Sequence, residues 1–380
     1  MSQVSYQDIK IGILGGGQLG RMLIQSATDF NLDIHILDPD QNAPAKSLTD
    51  NFTCGSLKDF DTVYNFGRHL DLVTIEIESV NTEALKKLEV EGVKVFPQPH
   101  LIELIQDKRI QKDFYLKNHI PTAEFVLTDN RQDVERFVDF LPAVHKLGKD
   151  GYDGRGVQVL RTEADIHKAF DQPGLLEKLV DFQLEISVIV ARNEKGEIKA
   201  FPTVGCAFHP ELNLVEYLFA PSGLSEAVEH KAEAVAREVI DKLQLVGLLA
   251  VEMFVTRDGQ ILVNEIAPRP HNSGHHTIEA NITSQFEQHL RAILGMPLGD
   301  TSIIQPAAMV NLLGEDGYSG DARYIGMDEA MATSGVHVHL YGKKVTKPFR
   351  KMGHVTVVGE TIEQVEEKAK RIRNLIKIIA

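Results

Sequence analysis

The sequence predicts a mixed fold with an α/β front end followed by α+β segments, in about three structural pieces. Residues 9–37 alternate an apolar run, a helical pattern and a second apolar run, which is typical of parallel strands joined by helices. From Phe125 onwards the chain changes to short β-rich runs separated by glycines. The last part, residues 336–378, combines two further β-rich runs with an amphipathic helical pattern.

The first expected domain, residues 1–108, contains the strand–helix–strand pattern. Apolar runs predict strands at 9–14, 33–37 and 72–77, and the helical spacing of Leu19, Met22 and Leu23 predicts a helix over 18–30. The Pro97-Gln98-Pro99 segment indicates where this unit ends. A helical pattern over 101–118 follows and stops before Pro121.

Two further domains are expected at 109–190 and 191–380. A strand is predicted at 183–190, close to the limit between them. The last domain is predicted to contain a helix over 225–243, strands at 248–255, 260–266, 336–340 and 355–358, and a closing helix over 361–378.

Composition and charge narrow the classes of function. The 380 residues carry 40 Lys and Arg against 54 Asp and Glu, a net charge of −14, which argues against nucleic acid or an anionic membrane as a partner. No apolar run reaches the roughly 20 residues that cross a bilayer. The first ten residues lack the pattern of a secretory signal, and the two cysteines give no disulfide framework. A cytoplasmic location is therefore expected.

A glycine-rich turn follows the first predicted strand. Gly15, Gly17 and Gly20 fit G-x-G-x-x-G, and Asp38 ends the next strand, where an acid can bind a ribose. Taken alone, this pattern predicts a nicotinamide-dependent dehydrogenase. The same pattern also occurs wherever a strand turns tightly into a helix whose N-terminal amides bind an anion. No hydride-transfer site is evident downstream, so the dehydrogenase is the weaker alternative.

A β-hairpin is predicted around Asp258-Gly259, which lies between two apolar runs and favours a two-residue type I′ turn. In that register the numbers of paired residues sum to 517, so Glu252 and Glu265 lie opposite each other. Opposed β-carbons are about 5 Å apart, and two carboxylates at that distance repel unless a proton or cation lies between them. Mg²⁺, which binds few carboxylates together with substrate phosphates, suits this pair.

Three other segments carry groups for binding anions. Residues 149–156 contain three closely spaced glycines and Arg155, which suits a phosphate, although a plain flexible turn is the alternative. Residues 268–277 carry one arginine, three histidines and an asparagine, which suit a small oxyanion. Residues 341–354 hold five Lys and Arg and no acid, so they predict either a solvated face or a site for a phosphorylated substrate.

Together these segments resemble the ATP-grasp superfamily and, within it, the N5-carboxyaminoimidazole ribonucleotide synthetase family. The resemblance spans nearly the whole chain. It is carried by GILGGGQLGRM at 12–22, GYDGRG at 151–156, NEIAPRPHNSGH at 264–275 and RKMGH at 350–354. It implies an ATP-grasp fold with an N-terminal biotin-carboxylase-like (pre-ATP-grasp) α/β domain, a central lid, and a C-terminal part that completes the nucleotide cleft.

The resemblance also implies a role for individual residues. Those implied for ATP are Lys108, Lys146, Gly151, Tyr152, Gly154, Arg155, Gly156, Glu177, Lys178, Leu179, Val180, Glu185, Asn264 and Glu265. Within this set, residues 177–180 are expected to meet adenine through the backbone, and Glu185 to bind ribose. Glu252 and Glu265 are the implied Mg²⁺ ligands. Those implied for aminoimidazole ribonucleotide are Glu76, Tyr152, Asp153, Arg155, Lys343 and Arg350, of which the last two would bind its phosphate.

The catalytic set implied by the resemblance is Arg269, His271 and Asn272, which would bind bicarbonate and then carboxyphosphate. Asp153 and His275 are candidates for accepting the proton of the attacking amine. The implied reaction is ATP-dependent carboxylation of aminoimidazole ribonucleotide by bicarbonate in purine biosynthesis, carried out by a homodimer. Another ATP-grasp ligase of purine precursors, such as formate-dependent glycinamide ribonucleotide transformylase, and a non-catalytic nucleotide-binding regulator are the alternatives.

Overall fold

The structure, a computed structural model, describes residues 8–149, 151, 156–208 and 215–380. The helices are α1 (Gln18–Asp29), α2 (Phe60–Gly67), α3 (Thr82–Val90), α4 (Pro99–Gln106), α5 (Lys108–Lys117), α6 (Arg131–Arg136), α7 (Glu226–Leu243), α8 (Thr277–Ala280), α9 (Gln285–Ile293), α10 (Met327–Met331) and α11 (Ile362–Leu375). Within the described ranges, no helix is both long enough and apolar enough to pass through a bilayer.

The strands form three principal sheets. The N-terminal sheet contains β1 (Lys10–Leu14), β2 (Asp33–Asp38), β3 (Phe52–Cys54), β4 (Leu72–Ile75) and β5 (Lys94–Val95). The middle sheet contains β6 (Phe125–Thr128), β7 (Ala143–Leu147), β8 (Val157–Leu160) and β9 (Gly174–Lys178). The remaining strands are β10 (Phe182–Arg192), β11 (Ile198–Ala200), β12 (Val204–Phe208), β13 (Val215–Ala220), β14 (Gly247–Thr256), β15 (Ile261–Ala267), β16 (Ala307–Leu313), β17 (Gly320–Asp321), β18 (Arg323–Ile325), β19 (Val336–Leu340), β20 (Val345–Thr346), β21 (Lys351–Val358) and β22 (Lys377–Ile379).

The N-terminal sheet is parallel, with the strand order β3-β2-β1-β4-β5. Ile11 and Ile13 of β1 pack in one core with Leu23 of α1, whereas Leu14 packs in a second core with Leu85 of α3. Both faces of the sheet are thus covered by helices, which explains why its central strand is apolar from Ile11 to Leu14. The strand–helix–strand prediction for this region is confirmed.

The largest sheet is antiparallel and follows the order β15-β14-β10-β12-β13-β16-β21-β19, with β11 paired to β10. Buried residues of α7, including Ala236 and Ile240, pack against β10, β14 and β15. Helix α9 packs against β10 and β14, and α11 packs against β16 and β21. Strand β10 runs continuously through residue 190, where the limit between the second and third domains was expected.

Two sequence predictions differ from the structure. The helix predicted over 101–118 is two helices, because Asp107 is extended and its side chain accepts the Arg109 N–H at 3.0 Å, which starts a new helix. The closing helix ends at Leu375 rather than 378. Residues 377–379 instead form β22, which pairs with β18 and buries Ile378 in the core beside α11.

Candidate active site

The hairpin of β14 and β15 places two carboxylates opposite each other. Glu252 pairs with Glu265 and Val251 with Ile266, so the predicted sum of 517 is confirmed at the site. Nearer the turn the register differs, because Met253 pairs with Val263. The predicted two-residue turn is wrong. Thr256 donates its N–H to Gln260 O at 3.0 Å, and the three-residue loop between them ends at Gly259 with φ 77°.

A β-bulge next to Glu252 explains why the two carboxylates are still opposed although the turn is one residue longer than predicted. The register changes between Glu252 and Met253, so that the bulged strand gains Asn264 as an extra residue. Asn264 and Glu265 are both half-buried, between the buried Val263 and Ile266, which breaks the alternation of the strand. The bulge therefore directs two consecutive polar side chains towards the same side.

The carboxylate pair has the electrostatics of a cation site. Burial and then the charge of Glu265 raise the pKa of Glu252 to about 7. The ammonium of Lys108, the first residue of α5, forms an ion pair with Glu265. In the part of the chain that the structure describes, no group of three His, Cys, Asp or Glu could hold a metal. Two carboxylates nevertheless fit Mg²⁺, whose remaining ligands are commonly phosphate oxygens and water.

Two lysines converge on Glu177 of the middle sheet. Its carboxylate, 3% exposed, lies 2.9 Å from the Lys112 ammonium and 3.3 Å from that of Lys146. Lys146 also donates to Asn264 Oδ1 at 2.8 Å, which joins the middle sheet to the bulge. Burial lowers the pKa of Lys112 to about 8. Lys112 was not among the predicted site residues, since a lysine in a helix gives no sign in the sequence that it is buried.

In the segment implied for adenine, residues 177–180, several groups already form hydrogen bonds within the protein. Lys178 and Leu179 donate their N–H groups to Glu124 O at 2.8 Å and Pro142 O at 3.1 Å. The Lys178 ammonium donates to Phe140 O at 2.8 Å. These three groups are already occupied, so a ligand would rely on other backbone groups, such as those of Val180.

Glu185 of β10 belongs to the same acidic neighbourhood as the carboxylate pair. It pairs with Cys206 on one side and with Phe254 on the other. Burial, and then the charge of Glu252, raise the pKa of Glu185 to about 8. Lys146 opposes this rise, so the cation and both glutamates lie within electrostatic reach of one another.

The polar segment after β15 borders the carboxylate pair. Arg269 Nε lies 2.8 Å from Glu78 Oε1, a partner that the sequence analysis did not identify. His271 Nδ1 lies 2.9 Å from Ser273 Oγ and 3.4 Å from Ser273 N, and its Nε2 lies 3.5 Å from Glu252 Oε1. Burial, with the charges of Arg269 and Lys351, lowers the pKa of His271 to about 3, which keeps it neutral.

Asn272 follows His271 and has a buried side-chain oxygen. Its Oδ1 finds no hydrogen-bond donor among the residues that the structure describes. A buried acceptor without a donor is costly, so this oxygen suits a ligand that carries an N–H or O–H group.

The glycine-rich turn is occupied by carboxylates of the chain itself. Glu76 accepts the N–H of Gly17 at 3.0 Å and that of Gly20 at 2.8 Å, and Asp38 accepts the Gly16 N–H at 2.6 Å. Burial raises the pKa of Glu76, although the two amides oppose this effect. A dinucleotide pyrophosphate would have to displace these acids, which argues against the dehydrogenase interpretation.

The two basic residues implied for a substrate phosphate lie in different surroundings. Lys343 donates to Gln18 Oε1 at 2.7 Å and so lies beside the start of α1. Arg350 donates to Val345 O at 2.6 Å. A third residue of this segment, Lys351, had no predicted role. Its charge opposes the rise in the pKa of Glu252 and adds to the fall in the pKa of His271.

The second glycine loop is only partly described. Tyr152, Asp153, Gly154 and Arg155 lie outside the described residues. At its ends, Gly156 O accepts the Leu147 N–H at 2.9 Å, and a β-carbon on Gly156 would lie 3.2 Å from Gly151 Cα.

Three family models match successive parts of the chain. Residues 9–106 match a ribonucleotide synthetase preATP-grasp domain, and residues 113–286 match an ATP-grasp domain. Residues 307–368 match a phosphoribosylaminoimidazole carboxylase C-terminal domain. The ATP-grasp match spans the middle sheet together with β10 to β15 of the large sheet.

Curated relatives cover nearly the whole chain. The chloroplastic phosphoribosylaminoimidazole carboxylase of Vigna aconitifolia is 39% identical over 368 residues, which are 94% of this chain and 66% of the relative. The chain thus spans about two thirds of that longer protein. The N5-carboxyaminoimidazole ribonucleotide synthase of Bacillus subtilis is 35% identical over 377 residues, 96% of this chain and 97% of the relative.

Solved structures agree with these matches. The N5-carboxyaminoimidazole ribonucleotide synthetase of Thermotoga maritima superposes with a TM-score of 0.91 at 42% identity, over 98% of this chain and 99% of the other. The N5-carboxyaminoimidazole synthase of Aspergillus clavatus, in complex with ADP and 5-aminoimidazole ribonucleotide, has a TM-score of 0.89 at 34% identity, over 97% of this chain and 99% of the other.

Proposed function

The chain belongs to the N5-carboxyaminoimidazole ribonucleotide synthase family, and on this premise we propose that it carboxylates 5-aminoimidazole ribonucleotide with bicarbonate and ATP. The products are N5-carboxyaminoimidazole ribonucleotide, ADP and phosphate. The observation that carries the proposal is the bulged hairpin, which places Asn264 and Glu265 opposite Glu252 and in contact with Lys146 and Lys108. Paired carboxylates beside two lysines suit the phosphates of ATP with Mg²⁺.

The need for ATP follows from the chemistry of bicarbonate. Its carbon carries delocalised negative charge, and hydroxide is a poor leaving group. Attack of a bicarbonate oxygen on the γ-phosphorus of ATP forms carboxyphosphate and releases ADP. Mg²⁺ bound by Glu252 and Glu265 would offset charge on the phosphates. The ammonium groups of Lys108 and Lys146 bind and orient the same phosphates.

The segment after β15 suits bicarbonate and carboxyphosphate. The Arg269 guanidinium, paired with Glu78 and donating from Nη1 to Pro270 O at 3.1 Å, supplies positive charge for an oxyanion. His271 is neutral, so it contributes a hydrogen bond rather than a positive charge. Asn272 offers an amide whose oxygen still lacks a donor among the described residues. These three side chains hold the intermediate while water is excluded.

The exocyclic amine of the ribonucleotide then attacks the carboxyl carbon, and phosphate leaves. The attacking nitrogen must lose a proton. Of the two candidates for accepting this proton, His275 has an occupied acceptor nitrogen, because its Nδ1 accepts from the Gln285 amide at 3.1 Å. This supports Asp153 as the proton acceptor.

Lys343 and Arg350 are proposed to bind the 5′-phosphate of the ribonucleotide. Glu76, Tyr152 and Arg155 are proposed to bind the remainder of the ribonucleotide.

The first experiment measures ADP release from ATP, Mg²⁺ and bicarbonate, with and without 5-aminoimidazole ribonucleotide. We expect ADP release to require bicarbonate and to rise strongly when the ribonucleotide is added. Turnover with formate and glycinamide ribonucleotide in their place would favour the transformylase alternative. A thermal shift with NAD but none with ATP would favour the dehydrogenase alternative.

A homodimer, a cytoplasmic location and three domains divided at residues 108 and 190 are also proposed. The family match over residues 9–106 supports the first limit, whereas the ATP-grasp match over 113–286 runs across residue 190. Light scattering coupled to size exclusion tests the dimer, for which the expected mass is twice that of the 42.3 kDa chain. Limited proteolysis tests the domain limits.

A further inference from the structure

A buried glutamine lies behind the segment proposed for bicarbonate. Gln285 is the first residue of α9 and is 0% exposed. Its Oε1 accepts the His271 N–H at 2.8 Å, and its Nε2 donates to His271 O at 2.7 Å. The second Nε2 hydrogen is directed at His275 Nδ1, 3.1 Å away. One amide thus binds both main-chain groups of His271 and the side chain of His275.

The residues around Gln285 fix its position and leave space for its hydrogen bonds to His271 and His275. Its backbone N–H donates to Thr277 Oγ1 at 2.8 Å, and that hydroxyl donates to Gly274 O at 2.6 Å. A β-carbon at residue 274 would lie 2.6 Å from Gln285 Cδ, so glycine is needed for the segment to approach the amide. A buried primary amide is stable only when its polar groups have partners, and both Nε2 hydrogens are used here.

The position of the His271 imidazole depends on its main chain. Its Nε2 lies 3.5 Å from Glu252, and its Nδ1 is bonded to Ser273, the residue two positions on. The Ser273 hydroxyl also lies 2.8 Å from Ser187 Oγ of β10, which ties that side chain to the large sheet, but neither contact involves the His271 main chain. Gln285 comes from α9, which packs on β10 and β14. It therefore connects the His271 main chain to a rigid helix.

We propose that Gln285 is a positioning residue for the bicarbonate step, an inference that rests on the function proposed above. It acts by holding the His271 main chain so that Arg269, His271 and Asn272 face the γ-phosphate together. Gln285 makes no contact with Lys108, Lys146 or Glu177, so its role is separate from nucleotide binding. Small displacements of groups that orient a substrate reduce turnover strongly.

The chain offers a matched control on the same helix. Gln288, also 0% exposed, binds both main-chain groups of a single residue through its side-chain amide. Its Oε1 accepts the Gly299 N–H at 2.7 Å and its Nε2 donates to Gly299 O at 3.1 Å. The two glutamines therefore make the same kind of contact at equal burial, but Gln288 binds a segment that carries none of the proposed site residues.

The test compares Gln285→Met with Gln288→Met in the full-length protein. Each change keeps the side-chain volume and removes an amide that binds a main chain. We expect Gln285→Met to raise the KM for bicarbonate or lower bicarbonate-dependent kcat by about tenfold or more, with the KM for ATP within about twofold of wild type. Gln288→Met is expected to lower the melting temperature to a similar extent and to leave the bicarbonate parameters near wild type.

A second variant covers the case in which Gln285→Met does not fold. Gln285→Glu keeps the acceptor for the His271 N–H but lacks the pair of N–H donors, so its kcat/KM for bicarbonate is expected to lie between those of wild type and Gln285→Met. Equal bicarbonate parameters in all variants, or parallel rises in the KM for ATP and bicarbonate, would overturn the inference. Absence of bicarbonate-dependent ADP release in wild type would instead refute the proposed function and, with it, this role.

Discussion

Two pairs of acidic side chains, one at the N-terminal sheet and one in the large sheet, differ in how their negative charge is stabilised. Glu76 and Asp38 accept backbone N–H groups of the glycine-rich turn, at 2.6 to 3.0 Å. Glu252 and Glu265 face each other across a hairpin. Backbone amides satisfy the first pair, whereas the second pair is left with repulsion that only a proton or a cation relieves.

The difference shows that a sequence motif predicts the geometry of a binding site but not which group occupies that site. The turn from Gly15 to Gly20 has the amides of an anion site at the start of α1, but the anion is a side chain of the same protein. Among the described residues, no backbone N–H donates to Glu252, whose pKa is raised to about 7. A carboxylate pair that the backbone leaves unsatisfied is therefore the better indicator of a ligand.

Glu265→Gln is expected to give the largest effect. It removes one of the two opposed charges, so ADP release should fall at least about a hundredfold. The fold should be retained, because the Glu265 side chain is 47% exposed and its ion pair with Lys108 contributes little to stability. Steady-state turnover and thermal unfolding measure the two effects. Near-normal turnover would exclude Glu265 from the metal site.

Glu76→Gln is the corresponding change in the other pair, and its expected effect is on stability. An amide offers one oxygen for two N–H donors, and its NH₂ group would face the other donor. We expect a loss of about 2–3 kcal/mol in the free energy of unfolding. Urea denaturation measures it, with Glu89→Gln on the exposed face of α3 as the control. Equal stability of the two variants would show that the Glu76 contacts are dispensable.

The hairpin shows how far sequence can predict a site. The opposed glutamates are confirmed, although the predicted turn was one residue too short. The longer turn shifts the register by one residue, and the bulge at Asn264 in β15 shifts it back. The adjacent polar residues Asn264 and Glu265 break the alternation of the strand, and that break is a signal of the bulge visible in the sequence. The turn type had no comparable signal, since Asp-Gly suits both loop lengths.

Other parts of the site depend on contacts between distant segments. Glu76 lies 59 residues from Gly17, and Lys112 lies 65 residues from Glu177, so neither contact has a local pattern. Gln285 reads as the polar first residue of a helix, and only the fold shows that it is buried. Strands and helices follow from periodicity, whereas the partners of buried polar groups follow from tertiary packing.

One of the contacts between the two regions gives a prediction for pH. His289 of α9 bonds Thr74 Oγ1 of β4 at 2.9 Å, two residues before Glu76, and burial lowers its pKa to about 3. In the unfolded chain this histidine takes up a proton as the pH falls through about 6.5, whereas the folded protein does not. Its contribution to stability is complete above that pH and falls by about 1.4 kcal/mol per pH unit below it, towards pH 3.

His289→Gln introduces a side chain that does not titrate, so the variant should take up one proton fewer on unfolding. Its free energy of unfolding should therefore depend less steeply on pH between about pH 6 and pH 4.5. The exposed His230→Gln on α7 is the control and should keep the wild-type slope. Urea denaturation at several pH values measures both slopes. An unchanged slope in His289→Gln would mean that His289 is protonated in the folded protein, and that the contact between β4 and α9 admits water. In that case the two acidic pairs would be separated by a hydrated boundary rather than by a packed one.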